Sequence, residues 1–130
     1  MTSKPEVITG PDVPSAIGPY SPAVRAGDFL FVSGQPGVDP ETAKPAGPGF
    51  SEQAAQAFRN LDAVLRAGRS RPNLVVSTTV LVADAGDFAE LNELFADFFP
   101  TDPPARMTMQ VPLPLGLLLS IGCTALVEPE

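Results

Sequence analysis

The chain has 130 residues, 44% of them hydrophobic and none of them histidine. That length is one domain's worth, and a charged fraction of 18% is too low for a disordered chain. The net charge of −7, with no two basic residues adjacent, argues against nucleic acid, and the missing histidine removes His triads, His metal sites and the usual ribonuclease base.

One cysteine, Cys123, lies in a largely apolar run and reads as a small buried hydrophobe. It excludes an intrachain disulfide and, without histidine, leaves no ligand set for structural zinc, so no metal is expected. Met1–Gly10 lacks the apolar segment of a signal peptide, and no stretch reaches the ~20 apolar residues of a membrane helix. A cytoplasmic protein is expected.

Along the chain, Pro5–Ile8 is predicted as a short edge strand. Ile17–Pro22 is a Gly-Pro turn carrying Tyr20 and Ser21. Ala23–Arg25 and Phe29–Ser33, separated by a Gly-Asp turn, read as a β-hairpin. Gly34–Gly49 is rich in proline and glycine and is predicted as a loop. Ser51–Ala67 places Ala54, Phe58, Leu61 and Leu65 on one helical stripe. Ser51 is the expected N-cap, and Gly68 is expected to end the helix in the left-handed conformation.

Leu74–Ala83 is rich in β-branched residues and is predicted as a long strand. Asp87–Phe99 is a second helix with an apolar stripe of Phe88, Leu91, Phe95 and Phe98. Asp87 and Glu90 have capping-box spacing. Met107–Val111 and Leu117–Val127 are the last strands. In the latter, alternate residues from Leu117 to Val127 are wholly apolar, and the other set, which includes Ser120, carries no charge. A strand uncharged on both faces needs cover on both, and a second subunit is the simplest cover for the face away from the helices. The order predicts an α+β fold, a mixed sheet with two helices on one face.

Arg106 is the first functional candidate. It is the only charged residue between Asp102 and Glu128. Its planar fork suits a carboxylate, which leaves two readings: a ligand anchor, or a structural salt bridge to an acid elsewhere in the chain. Ser33-Gly34-Gln35 closes a strand with a glycine that lets a ligand approach. Tyr20 sits in a turn, and Asn92 lies beside its helix stripe, where its amide is expected to have a partner. Taken singly, Tyr20, Ser33 and Asn92 read as structural residues before binding ones.

Several segments together resemble the RidA (YjgF, endoribonuclease L-PSP) family. They are Ile17–Val24, Phe31–Gln35, Gln53–Leu65, Leu91–Glu93 with Phe98-Phe99, Pro104-Ala105-Arg106, and Leu113-Pro114 followed by Gly116. The resemblance implies a chorismate-mutase-like fold whose sheets pack as a trimeric barrel. It implies clefts between subunits that bind small carboxylates, with no metal or organic cofactor. It also implies hydrolysis of reactive 2-imino acids, or their enamine tautomers, to 2-keto acids and ammonia. On this resemblance Arg106 holds the substrate carboxylate, and Tyr20, Ser33, Gly34, Asn92 and Thr108 line or support the cleft.

One departure stands out. Ser120 occupies the place of a glutamate that positions and activates water in deaminating members. No Asp or Glu occurs between Arg106 and Glu128. Ser120 is expected to face the cleft in line with Arg106. Two readings follow: a deaminase weakened by the missing acid, with Arg106 and Ser120 as its catalytic pair, or a non-deaminating binder of small keto or imino carboxylates. An endoribonuclease or translation inhibitor is a third reading, disfavoured by the charge.

Overall fold

The computed structural model describes residues 4–129. Residues 1–3, part of the segment read above as lacking a leader, lie outside the described residues. Six strands form one sheet: β1 (Glu6–Ile8), β2 (Ala23–Ala26), β3 (Phe29–Pro36), β4 (Val75–Val82), β5 (Ala105–Gln110) and β6 (Leu119–Leu126). Their spatial order is β1-β2-β3-β6-β4-β5, antiparallel except for the parallel pair β4–β5. Helices α1 (Phe50–Ala67) and α2 (Phe88–Phe98) cover one face of this mixed sheet. No helix among the described residues is long and apolar enough to cross a membrane.

The covered face follows from alternation. On β6, Leu119, Ile121, Cys123 and Ala125 are buried, while Ser120, Gly122 and Thr124 are half-buried on the other side. On β3, Leu30 and Val32 turn inward beside them. The helices supply Ala54, Leu61, Val64, Leu91 and Phe95 to the same core. Burying one such Leu or Phe side chain is worth about 1.5–3 kcal/mol.

Two bulges set which residues share a face. Val32 pairs with Cys123 and Gln35 with Ile121, so Ser33 and Gly34 together oppose Gly122. Val75 pairs with Ala125 and Ser77 with Thr124, leaving Val76 as the extra residue. The predicted loop from Gly34 therefore begins later, because β3 continues through the bulge to Pro36.

Three predicted caps are corrected. The residue before α1 is Gly49, and Ser51 instead donates its hydroxyl proton to Glu90 across the two helices. Gly68 has φ −86°, and the left-handed residue is Arg69 at φ 60°. Gly68 is there for room: a Cβ on it would lie 2.6 Å from the side chain of Leu30, which is fully buried. Asp87 makes no capping bond. Asp84 caps the preceding 3-10 turn, its Oδ1 accepting from the Gly86 N–H at 2.8 Å.

Gln53 ties the loops at one end of the sheet. Its amide donates to Gly47 O and Gly116 O, and its Oε1 accepts from the Leu118 N–H. Leu118 lies two residues before Ser120, so this buried side chain fixes how β6 enters the sheet.

Candidate carboxylate-binding site

Arg106 stands on β5, the edge strand. It pairs with Thr78, which pairs with Cys123, so its side chain leaves on the helix face. Thr78 Oγ1 donates to Ala105 O at 3.0 Å and pins the peptide before Arg106. The guanidinium carbon lies 4.9 Å from the centroid of the Phe95 ring of α2. A cation over an aromatic face gains about 0.5–1 kcal/mol at an exposed site. Arg106 is exposed and makes no ion pair among the described residues. The structural salt bridge, one of the two readings of Arg106, is not formed among the described residues. Thr108, two residues on, shares this face and is half-buried.

Ser120 lies on the other face. It pairs with Leu81, which pairs with Met109. Within one chain it is two strands and three residues away from Arg106, or about 14 Å between backbones. Within one chain the register of β5 against β4 therefore puts Ser120 and Arg106 on opposite faces.

Ser120 belongs with Gly34. A Cβ on Gly34 would come within 2.6 Å of Ser120 Oγ, so only glycine at 34 leaves this hydroxyl its place. Ser33 beside it donates its hydroxyl proton to Ser21 O at 2.6 Å, and its N–H bonds Pro22 O at 3.0 Å. Its proton is committed to holding the 20–22 turn, which leaves it only as an acceptor for a ligand. Tyr20 is exposed in that turn, its hydroxyl oxygen accepting from the Ile17 N–H at 3.4 Å. Tyr20 and Gly34 line a narrow cleft of about 50 Å³ together with Asp39. Asp39 is a carboxylate that sequence reading passed over; its Oδ1 accepts from the Glu41 N–H at 2.8 Å.

Asn92 is exposed on α2 and its amide makes no hydrogen bond among the described residues, contrary to the expectation of a partner. The structure thus sorts the candidates into two groups. Arg106 and Thr108 stand at the β5 edge against α2. Tyr20, Ser33, Gly34 and Ser120 gather around the end of β3. Phe95 as the platform under Arg106 was not singled out in the sequence, because its place in an apolar stripe is also that of a core residue.

The face bearing Ser120 carries no charge on β3, β6, β4 or β5. Phe29, Phe31, Met107, Met109 and Leu126 are exposed on it, Met107 at 60%. Among the described residues no cluster of acids and cysteine could hold a metal ion.

Two helices on one face of this mixed sheet, with an edge arginine that no described carboxylate pairs and a close glycine-serine approach across β3 and β6, define a small α+β fold. The chain belongs to the endoribonuclease L-PSP family, whose model matches residues 11–127. It is 40% identical to Reactive Intermediate Deaminase A, chloroplastic, of Arabidopsis thaliana over 123 residues, which are 94% of this chain and 66% of that protein. It is 41% identical to the 2-iminobutanoate/2-iminopropanoate deaminase of Mus musculus, over 95% of this chain and 93% of that one. The crystal structure of RidA from the Antarctic bacterium Psychrobacter sp. superposes with a TM-score of 0.89 at 38% identity, covering 94% of this chain and 99% of the other. The family and fold expected from the motifs are those found.

Proposed function

We propose that this protein hydrolyses reactive 2-imino acids, or their enamine tautomers, to 2-keto acids and ammonia in clefts between subunits of a homotrimer. Water adds to the imine carbon, the carbon–nitrogen bond breaks, and nitrogen leaves as ammonia. The observation that carries the reading is Arg106: an exposed guanidinium, braced on Phe95, with no carboxylate among the described residues to occupy it. Its fork fits the substrate carboxylate through two parallel hydrogen bonds. The relatives named as deaminases support the reaction.

Arg106 and Ser120 face opposite ways in one chain, so a ligand touching both needs Arg106 of one copy and Ser120 of another. The uncharged face with Phe29, Phe31, Met107 and Met109 supports that assembly. In the composite cleft Arg106 anchors the carboxylate and Ser120 orients water beside Gly34. Tyr20, Ser33, Asn92 and Thr108 form the walls. An iminium carbon is already electrophilic, so placing the water accounts for much of the task. No cofactor is required. The single buried cysteine fits a reducing, cytoplasmic setting.

Ser120 favours a second reading. A neutral hydroxyl takes no proton at pH 7, and a missing general acid/base costs roughly 10²–10⁴ in rate. The protein would then bind small keto or imino carboxylates without deaminating them. The net charge of −7 weighs against the ribonuclease in the family's name. A coupled assay decides: freshly generated 2-aminoacrylate is supplied, and pyruvate formation is followed with and without the protein. Acceleration supports the deaminase. Saturable pyruvate binding without acceleration selects the binder.

A further inference from the structure

A groove of about 800 Å³ runs between α1, Phe98 of α2 and the 9–13 segment, and none of the candidate site residues lines it. That volume falls within the usual range for small-molecule sites. Its floor is Phe58 and Phe98, whose ring centroids are 5.0 Å apart, with Ala55 and Ala63 on the exposed side of α1. The opposite wall is the segment before β2, where Val13 packs onto the core and its N–H bonds Gly10 O at 3.2 Å. At one end this wall closes on α1: a Cβ on Gly10 would lie 3.8 Å from Ala67 Cβ.

The charges around the groove are unequally engaged. Arg66 and Asp62 neutralise each other through a 2.9 Å ion pair. Arg59 has only one uncharged partner, the amide oxygen of Gln56 at 2.9 Å, and no carboxylate among the described residues. Its remaining donors border an apolar trough. Asp12 also lines the groove and has no partner among the described residues, so a second negative charge on a ligand would be repelled. We infer that this groove binds an aliphatic monocarboxylate, its chain over Phe58, Ala63 and Phe98 and its carboxylate on Arg59.

The test is calorimetric titration of the full chain with sodium decanoate below its micelle concentration. One saturable site per chain is expected. Arg59→Ala should raise Kd about tenfold or more, the loss of one charge-assisted pair. Ala63→Leu fills the trough and should abolish binding, with circular dichroism confirming that both variants fold. Decanol and decanedioate should bind more weakly, and decanol binding should not respond to Arg59→Ala. Arg106→Ala should leave decanoate binding unchanged, which separates this groove from the proposed imine site. Unsaturable heats, binding that survives Ala63→Leu, binding indifferent to Arg59→Ala, or binding lost with Arg106→Ala would each overturn the assignment.

Discussion

Arg106 and Ser120 stand on opposite faces of one sheet, two strands apart and three residues out of step. If both serve one ligand, the ligand lies between copies of the chain. That gives a complementation test. Arg106→Ala and Gly34→Val should each be inactive, the second because its side chain strikes Ser120 Oγ. Co-refolded mixtures should regain activity at clefts built from the intact half of each. No recovery in mixtures that light scattering shows to be trimers would mean that the site lies within one subunit.

Binding of pyruvate should follow the chemistry of position 106. Arg106→Lys keeps the charge but loses the fork, and about a tenfold weakening is expected. Arg106→Ala should weaken binding about 100-fold. Phe95→Leu removes the ring beneath the guanidinium and should cost about three- to fivefold. Titration calorimetry on the three variants measures this order; an unaltered Kd in Arg106→Ala removes the anchor.

Ser120 tests the water-activating step. Ser120→Glu should raise the rate of 2-aminoacrylate hydrolysis by about tenfold or more, because a positioned acid/base is worth roughly 10²–10⁴ when fully effective. Ser120→Ala should slow hydrolysis if the hydroxyl places the water. A rapid wild-type reaction indifferent to Ser120→Ala would move water activation elsewhere, with Asp39 in the adjoining cleft the next residue to replace.

Two substitutions away from the site should change stability in opposite directions. Leu115 is 74% exposed at φ 60°, in a turn closed by the Leu117 N–H to Pro114 O bond. Leu115→Asn places Asn-Gly where left-handed backbone is required and should stabilise by about 1 kcal/mol. Gly68→Ala drives a methyl into Leu30 and should destabilise by about 1–3 kcal/mol. Thermal melts read both as shifts of Tm, up for the first and down for the second.

Cys123 gives a pH signature. Burial pushes its thiol from the ordinary 9.0 up to about 12. The folded protein therefore keeps a proton that the unfolded chain loses above pH 9, and this contribution to stability, complete below pH 9, declines as pH rises toward 12. Cys123→Ala should flatten the fall in denaturation midpoint over that window. The native thiol should also resist aromatic disulfide reagents at pH 8 and react on unfolding; rapid labelling of the native protein would contradict the buried placement.

The element types and most of the core were legible in local pattern. The stripe of α1, the stripe of α2 and the alternation of Leu119, Ile121, Cys123 and Ala125 are each periodic over enough residues to dictate one buried side. The family motifs made Arg106 and Gly34 candidates, and the structure shows Gly34 closely facing Ser120 Oγ. The caps were less legible, because Ser51 and Gly68 answer to distant residues, Glu90 and Leu30, that only packing brings near. The face of Arg106 could not be read from the chain at all. β5 is an edge strand with Met107 and Met109 on one side and Thr108 and Gln110 on the other, and neither side is buried enough to declare itself. Its pairing with Thr78 decides the matter, and with it that Arg106 and Ser120 can meet only across two copies. Side-chain alternation is a local property of a strand, but the register that gives it direction is a contact between strands far apart in sequence.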